Sequence, residues 1–247
     1  MKKPSLNILT KLFTVAGLML VVTAFISQAQ SESRRNVIEL FTSQGCSSCP
    51  PADALLKEYV KRDDVIALSY GVDYWDYLGW KDTLASAENT KRQQAYAVHA
   101  GRANVFTPEM VIDGEFSVVG SDGRAVTEAL RKSVNRSQSA IDVEIAQMHG
   151  KVVVRLDGPM NSGEAVIWLV RYDRETEVDI KRGENRGRKI TYHNVVRDIH
   201  AIGMWRGEAI EIALMQEDLV KGGRDGCAIL VQRDRSGPIL GAAEMKF

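Results

Sequence analysis

Cys46 and Cys49 are the two residues of this chain whose type and spacing best suit chemistry. They lie between an apolar, strand-like segment and a helix predicted from Pro51 to Arg62, which begins with proline. Free N–H groups and the helix dipole favour a thiolate at such a position. We therefore expect Cys46 to be an exposed nucleophile with a lowered pKa, and Cys49, one helical turn later, to be the resolving thiol. The predicted chemistry is thiol–disulfide exchange, which needs no cofactor because the cysteines carry the electrons.

Other interpretations of the cysteine pair stay open. The pair is also compatible with a structural disulfide in a non-catalytic binding module. Zinc is disfavoured because only Cys227 and four scattered histidines remain as further ligands, none at ligand spacing. A periplasmic copper-handling protein is a third reading, since soft thiolates select Cu(I), although the eight methionines form no tract. Cys227 lies in an apolar strand and is predicted to be a buried free thiol.

The segment from 36 to 137 alternates strands with helices, which predicts an α/β domain. Asp113-Gly114 predicts a tight hairpin between two short strands. Thr107-Pro108 precedes the first of these strands, Glu109–Ile112. This order of elements around a Cys-x-x-Cys pair resembles a thioredoxin-like fold, in which the X–Pro bond at this place is cis. The resemblance implies a cis Thr107–Pro108 bond, with Pro108 in the catalytic site as the residue that positions the substrate strand and Thr107 at the substrate.

From 140 to 247 the pattern changes to short β segments at roughly ten-residue spacing, which predicts an all-β sandwich domain. The candidate strands are Ile141–Ala146, Lys151–Leu156, Ala165–Tyr172, Lys189–Val196, Ala209–Met215, Cys227–Gln232 and Ile239–Lys246. The fold class expected for the whole chain is thus a thioredoxin-like α/β domain followed by a β-sandwich domain, with the boundary near Ser137.

Aromatic residues cluster in the loop after the second predicted strand, which places them at the same sheet edge as the cysteines. Tyr74, Trp75 and Tyr77 are followed closely by Trp80. One interpretation is a substrate-binding lip in which Tyr74 and Trp75 hold an extended peptide or a thiol protein. The other is that the aromatics pack at the join between the two domains. A basic, glycine-containing stretch over 181–189 is predicted to be a solvated hairpin tip.

Residues 1–29 have the pattern of an export signal. Lys2, Lys3 and Lys11 precede an apolar run from Leu12 to Ile26, and Ser27-Gln28-Ala29 offers a cleavage point. The run is too short for a typical membrane-spanning helix. We expect a periplasmic or secreted protein that is free of the membrane after cleavage. The whole chain has 32 basic and 32 acidic residues, so a nucleic-acid partner is not expected. The expected partners are a thiol or disulfide protein or peptide substrate and a redox partner whose identity the sequence leaves open.

Several long motifs together resemble the domain of unknown function 1223 family, whose members look like exported thioredoxin-like proteins. The motifs are Ile38–Asp53 around the cysteines, Val72–Asp82, Thr90–Gln93 with Tyr96, Thr107–Gly114, Asn194–Arg197 and Gly237–Ala242. The likeness covers nearly all of the mature chain. Gly71 is one departure, because the family pattern has a histidine there. The resemblance implies the fold described above, whereas the family has no established reaction.

Overall fold

The computed structural model describes residues 35–134 and 141–247, which belong to one compact unit of the chain. The first part alternates strands and helices as the sequence predicts. Its elements are β1 (Asn36–Thr42), α1 (Pro50–Val60), β2 (Val65–Gly71), α2 (Ala87–His99), β3 (Glu109–Ile112), β4 (Phe116–Val119) and α3 (Gly123–Val134). A short 3₁₀ helix, Asp76–Leu78, lies between β2 and α2. The Ser86 side chain caps α2 by accepting from Asn89 N, and Asp113 and Gly114 have the positive φ angles of the predicted turn.

The second part contains all seven predicted strands, although two of them are much longer than predicted. The elements are β5 (Asp142–Met148), β6 (Lys151–Asp157), β7 (Ala165–Asp179), β8 (Lys189–Trp205), β9 (Ile210–Met215), α4 (Gln216–Val220), β10 (Gly226–Arg233) and β11 (Ile239–Lys246). Strands β7 and β8 form one long antiparallel hairpin, with irregular register at Ile167/Trp168 and Arg171/Tyr172. The tip of this hairpin therefore lies far from the ends of β7 and β8 that pack in the core of the second half.

Strands from both parts of the chain form one eight-stranded mixed sheet, in the order β11-β10-β7-β8-β2-β1-β3-β4. Strands β1 and β2 are parallel, and β2 joins β8 through the pair Ser69 and Val195. The expectation of a β domain with its own separate sheets is corrected here, because four of its strands extend the sheet of the first part. The observed architecture is a mixed α/β fold, and its division into a thioredoxin-like domain and a sandwich is not confirmed.

A second sheet of three strands, in the order β5-β6-β9, packs over the end of the large sheet. Buried side chains of β6, including Val152, Val154 and Leu156, share a core with Ile167 of β7 and Ile229 of β10. Inward-facing residues of the two sheets make this core.

A buried polar cluster ties the first half of the chain to β10. The Arg92 guanidinium donates two bonds to the Glu39 carboxylate, at 2.7 and 3.1 Å, and a third to Gln232 Oε1 at 3.2 Å. Tyr96 also donates to Glu39, and Gln232 Nε2 donates to Tyr96 Oη at 2.9 Å. Because a buried ion pair must be fully hydrogen-bonded to be tolerated, these residues fix how β10 approaches α2.

The export prediction concerns residues 1–29, which lie outside the described part of the chain. The predicted domain boundary falls at the stretch 135–140, which is also outside it. Among the described residues, no helix is both long and apolar enough to cross a membrane.

Gly71, the position at which the resemblance implies a histidine, ends β2. A Cβ atom at this position would lie 2.8 Å from Leu84 O and about as close to Leu84 C. The Gly71 carbonyl accepts from Ser86 N and from Asn89 Nδ2, so the backbone is held in place by two donors. The close approach of the 84–85 backbone therefore excludes a larger residue from this position in this chain.

Candidate functional site

The cysteine pair forms a tight turn between β1 and α1. Cys46 N donates to Ser43 O at 3.2 Å, and Cys49 N donates to Cys46 O at 3.2 Å. Cys49 is the N-cap residue of α1, so its carbonyl accepts the first helical bonds from Ala52 N and Asp53 N. Both cysteines are buried, with Cys46 only 1% exposed, whereas Ser47 and Ser48 are exposed. The expectation that Cys46 is exposed is therefore wrong, because neighbouring segments of the chain cover it.

The two thiols have opposite electrostatic environments. A hydrogen bond from the Cys49 thiol is the main cause that lowers the pKa of Cys46 to about 6, against the effect of burial. Ser48, whose Oγ lies 3.4 Å from Cys46 Sγ, and Thr107 lower it further. Burial and the neighbouring Cys46 sulfur strongly raise the pKa of Cys49. Both residues are free cysteines, so the predicted disulfide is not formed in this structure.

The Thr107–Pro108 bond is cis, as the resemblance implies, and it lies beside Cys46. Cys46 Sγ is 3.8 Å from Thr107 O, the carbonyl that precedes the buried Pro108. Pro108 O accepts from Gly120 N at 2.9 Å, so this loop is fixed at the start of β3. The structure thus brings together Cys46, Cys49, Thr107 and Pro108, which the sequence assigns to one site.

Trp75 extends this site, whereas Tyr74 is turned toward α2. Trp75 Nε1 donates to Thr107 Oγ1 at 2.7 Å, and a Cβ atom on Gly45 would lie 3.0 Å from Trp75 Cβ. Tyr77 is 78% exposed and stacks on Trp75 with ring centroids 6.4 Å apart. Tyr74 Oη donates to Gln93 Oε1 at 3.2 Å, and both Tyr74 and Trp75 also pack against the core. The packing and binding interpretations are therefore compatible for Trp75.

Asp53 is a residue near the cysteines that the sequence analysis does not single out. It is buried on α1, one turn after Cys49, and accepts a hydrogen bond from Thr42 Oγ1 at 2.8 Å. Burial is the main cause that raises the pKa of Asp53 to about 8, and Cys46 and Asp82 raise it further. The hydrogen bond from Thr42 acts in the opposite direction. Its Oδ2 atom has no hydrogen-bond partner among the described residues. The sequence does carry a signal for Asp53: it is an acid four residues after Cys49, on the inward face of α1 and between apolar residues.

Two acids of the loop after β2 are hydrogen-bonded to other groups. Asp73 accepts from Thr90 Oγ1, and Asp76 accepts from Asp82 N. Asp82 itself is buried and accepts from Gln44 N at 2.7 Å and Leu84 N at 2.9 Å, so it fixes the backbone just before the cysteines. Asp53 is therefore the acid whose surroundings suit proton exchange with the cysteine pair.

The tip of the β7–β8 hairpin covers the cysteine turn from the second half of the chain. Asn185 is fully buried, and its Nδ2 donates to Cys46 O at 2.7 Å and to Gln44 O at 3.0 Å. Glu184 Oε2 accepts from Ser47 N at 2.9 Å. No sequence signal marks these contacts, because they join residues about 140 positions apart. They explain why Cys46 is not exposed.

The Asn185→Ala variant should be less stable to urea than the parent protein, by about 1–3 kcal/mol, because two buried carbonyls lose their donor. An exposed asparagine, Asn104, provides the matched control. Asn104→Ala is expected to change the free energy of unfolding by less than about 0.5 kcal/mol. Equal stability of the two variants would show that Asn185 does not hold the cysteine turn.

Cys227 and the histidines give no sign of a metal site. Cys227 is completely buried in β10, and burial raises its pKa to about 12, which agrees with the predicted packing role. Within residues 35–134 and 141–247, no group of three or more His, Cys, Asp and Glu side chains is arranged to hold a metal ion.

The fold and the cysteine site define a mixed α/β protein with a Cys-x-x-Cys turn between a strand and a helix. Its residues 37–232 match the family model described as a protein of unknown function, DUF1223, and the chain belongs to this family. Among solved structures, it is similar to protein AGR_C_4864 from Agrobacterium tumefaciens, with 35% identity and a TM-score of 0.77. That match covers 87% of this chain and 95% of the other.

A more distant likeness is to HBP35 of Porphyromonas gingivalis, at 12% identity and a TM-score of 0.53. It covers 87% of this chain and 75% of the other and concerns the fold alone. A search of curated proteins found no match.

Proposed function

We propose that this protein is an exported thiol–disulfide oxidoreductase whose first half is a thioredoxin-like fold and whose later strands complete a β-sandwich. Cys46 is the nucleophile, Cys49 is the resolving thiol, and Pro108 with Thr107 positions the substrate strand. The export part of the proposal rests on the pattern of residues 1–29. The substrate is a protein or peptide disulfide, and no cofactor is involved because two cysteines supply two electrons.

The reaction follows from the different states of the two thiols. The Cys46 thiolate attacks one sulfur of the substrate disulfide; a bond forms between Cys46 and that sulfur, and the other substrate sulfur leaves as a thiolate. Cys49 then loses its proton and attacks Cys46 Sγ. This breaks the mixed disulfide, releases the second substrate thiolate, and leaves a Cys46–Cys49 disulfide. The substrate gains two electrons and two protons. The protein supplies both electrons and the Cys49 proton, and the second proton comes from the solvent.

One observation carries the proposal: the pKa of Cys46 is lowered to about 6 while that of its neighbour Cys49 is raised. At neutral pH one sulfur is a thiolate and the other stays a thiol that donates to it. Burial alone raises the pKa of a thiol, as it does for Cys227. Perturbations of opposite sign in adjacent groups are typical of a pair with separate roles in catalysis.

We expect the substrate to bind along Thr107. Its carbonyl lies beside Cys46, and its hydroxyl holds the Trp75 indole. An extended chain that bonds to the Thr107 backbone would align like an added strand and bring its disulfide to Cys46. Because Cys46 is buried in this structure, such a substrate must displace part of the hairpin tip that covers it. Glu184 is exposed and contacts the cysteine turn through one hydrogen bond, from Ser47 N, so it is the residue of the tip that is displaced most easily.

A trapping experiment tests the function. The purified Cys49→Ser variant is mixed with a peptide that contains one disulfide, and the products are separated without reductant and weighed by mass spectrometry. We expect a stable mixed disulfide on Cys46, because the resolving thiol is gone. Cys227→Ala is included in every variant so that only the pair is observed.

Cys46→Ser is the matched control and should form no adduct, because the buried Cys49 stays protonated. The parent pair should reduce the peptide and end as an intramolecular disulfide. If Cys49→Ser and Cys46→Ser form equal amounts of adduct, the assigned roles are wrong. If neither forms any, the protein is not an oxidoreductase for peptide disulfides.

A further inference from the structure

An exposed cationic surface lies on the hairpin tip that covers Cys46. We call the tip, residues 180–189, the arginine tip, because Arg182, Arg186 and Arg188 are all exposed on it. Backbone bonds give the tip a defined shape: Ile180 N donates to Arg188 O at 2.9 Å, and Gly187 N donates to Ile180 O at 2.8 Å. The arginines therefore stand on an ordered turn rather than on an unconstrained loop.

The arginine tip is fixed directly against the cysteine turn. Asn185 donates to Cys46 O at 2.7 Å, and the arginines are at most three residues from Asn185. Consecutive Cα atoms are about 3.8 Å apart, so the Arg186 Cα lies next to the backbone of Asn185, whose side chain makes this contact. The three arginines therefore belong to the same short turn as the residue that bonds to Cys46.

The acidic residues of this hairpin end already have partners. Lys181 pairs with Asp179 at 3.4 Å, and Lys189 pairs with Glu177 at 2.6 Å. The Glu184 carboxylate accepts from the Ser47 amide. No ion pair is formed by Arg182, Arg186 or Arg188 with any other described residue. Three arginines without an ion pair among the described residues thus stand on the tip that bonds to the cysteine turn, against the single negative charge of Glu184, in a chain whose total charge is zero.

We infer that the arginine tip selects acidic substrates, so that the preferred partner is a peptide or protein segment with Asp or Glu next to its disulfide. The inference rests on the proposed exchange function and adds its substrate class. Guanidinium groups form paired hydrogen bonds with carboxylates, and unpaired charges near a site accelerate the encounter with an opposite charge. An acidic segment would also replace Glu184 at the tip with its own carboxylates.

The test compares two peptides that share one disulfide loop and differ only in three flanking residues, which are glutamates or lysines. The reduced protein should react with the glutamate peptide about tenfold faster at low salt. At 0.5 M salt the preference should fall below about twofold, because exposed charges are screened. The triple variant Arg182→Gln/Arg186→Gln/Arg188→Gln should lose the preference even at low salt. Lys151→Gln/Arg155→Gln/Lys221→Gln removes three exposed charges elsewhere and should keep it.

A binding measurement separates this inference from the proposed function. Fluorescently labelled peptides with serine in place of cysteine are titrated with protein, and their anisotropy is followed. Tighter binding of the glutamate peptide without any exchange would support the acidic-partner surface and overturn the exchange function. Exchange at equal rates with both peptides would overturn the surface and leave the function standing. Salt dependence of the parent protein needs no variant, so a misfolded triple variant does not prevent a decision.

Discussion

The Asp53→Asn variant is expected to be more stable than the parent protein at pH 9 and nearly as stable as it at pH 5. In the folded protein, burial raises the pKa of Asp53 to about 8, whereas the unfolded chain has an ordinary carboxyl group. Asparagine keeps the oxygen that accepts from Thr42 and carries no charge at any pH. The substitution therefore removes a cost that grows as the pH rises above the point where the unfolded chain ionises Asp53.

The sign follows from proton binding in the two states. Between about pH 4 and pH 8 the folded protein holds a proton on Asp53 that the unfolded chain has released. Stability therefore falls as the pH rises through this window and then levels off. Each pH unit of this window is worth about 1.4 kcal/mol, so the difference at pH 9 has a ceiling of about 6 kcal/mol. Urea unfolding of the reduced protein at pH 5, 7 and 9 measures it.

Asp63→Asn is the matched control, because Asp63 is an exposed acid just beyond α1. It should change the free energy of unfolding by less than about 0.5 kcal/mol at each pH. If Asp53→Asn destabilises the protein by the same amount at pH 5 and pH 9, Asp53 does not titrate in the folded state as described.

The same variant reports on proton transfer from Cys49. A general base is worth about 100-fold or more in rate. In the parent protein, release of the mixed disulfide should accelerate as the pH rises through about 8, where Asp53 ionises. In Asp53→Asn this acceleration should be lost while attack by Cys46 continues. A variant that gains stability and loses only the resolving step would assign Asp53 to proton transfer rather than to structure.

The local elements of this fold are largely readable from the sequence, because they depend on short patterns. Strand β3 has the predicted bounds, and the Asp113-Gly114 turn has the positive φ angles that these residues tolerate. The Cys-x-x-Cys turn and the proline beside it are also local motifs. Their meeting in space follows from the parallel and antiparallel pairing of β1 with its two neighbours.

The association of the two halves is not readable in this way. Strand β8 meets β2 at a single pair, Ser69 and Val195. The alternation of apolar and polar residues in β8 does not distinguish this strand from any other buried strand. The buried pair of Glu39 and Arg92 looks like two surface charges in the sequence, because only the tertiary structure provides each with its partner. For the same reason Asn185, which determines how deeply Cys46 is buried, carries no sequence signal.

The Cys49→Ala variant is expected to raise the pKa of Cys46 by about one to two units. The Cys49 hydrogen bond is the largest cause of the low Cys46 pKa, and burial, which acts in the opposite direction, would remain. Alkylation with iodoacetamide, measured against pH in a Cys227→Ala background, gives the midpoint directly. The parent midpoint should lie near pH 6. At pH 6 the variant should react about ten- to a hundredfold more slowly relative to its own high-pH plateau.

Two further variants show whether the donor at position 49 is the cause. Cys49→Ser keeps a hydroxyl that can donate, so its midpoint should lie between those of the parent and Cys49→Ala. Ser48→Ala removes a smaller contribution and should shift the midpoint less than Cys49→Ala does. A parent midpoint near that of a free thiol, about 8.5, would contradict the activated nucleophile. An unchanged midpoint in Cys49→Ala would instead show that the backbone of the turn causes the low pKa of Cys46, because the thiolate would then be stabilised without Cys49.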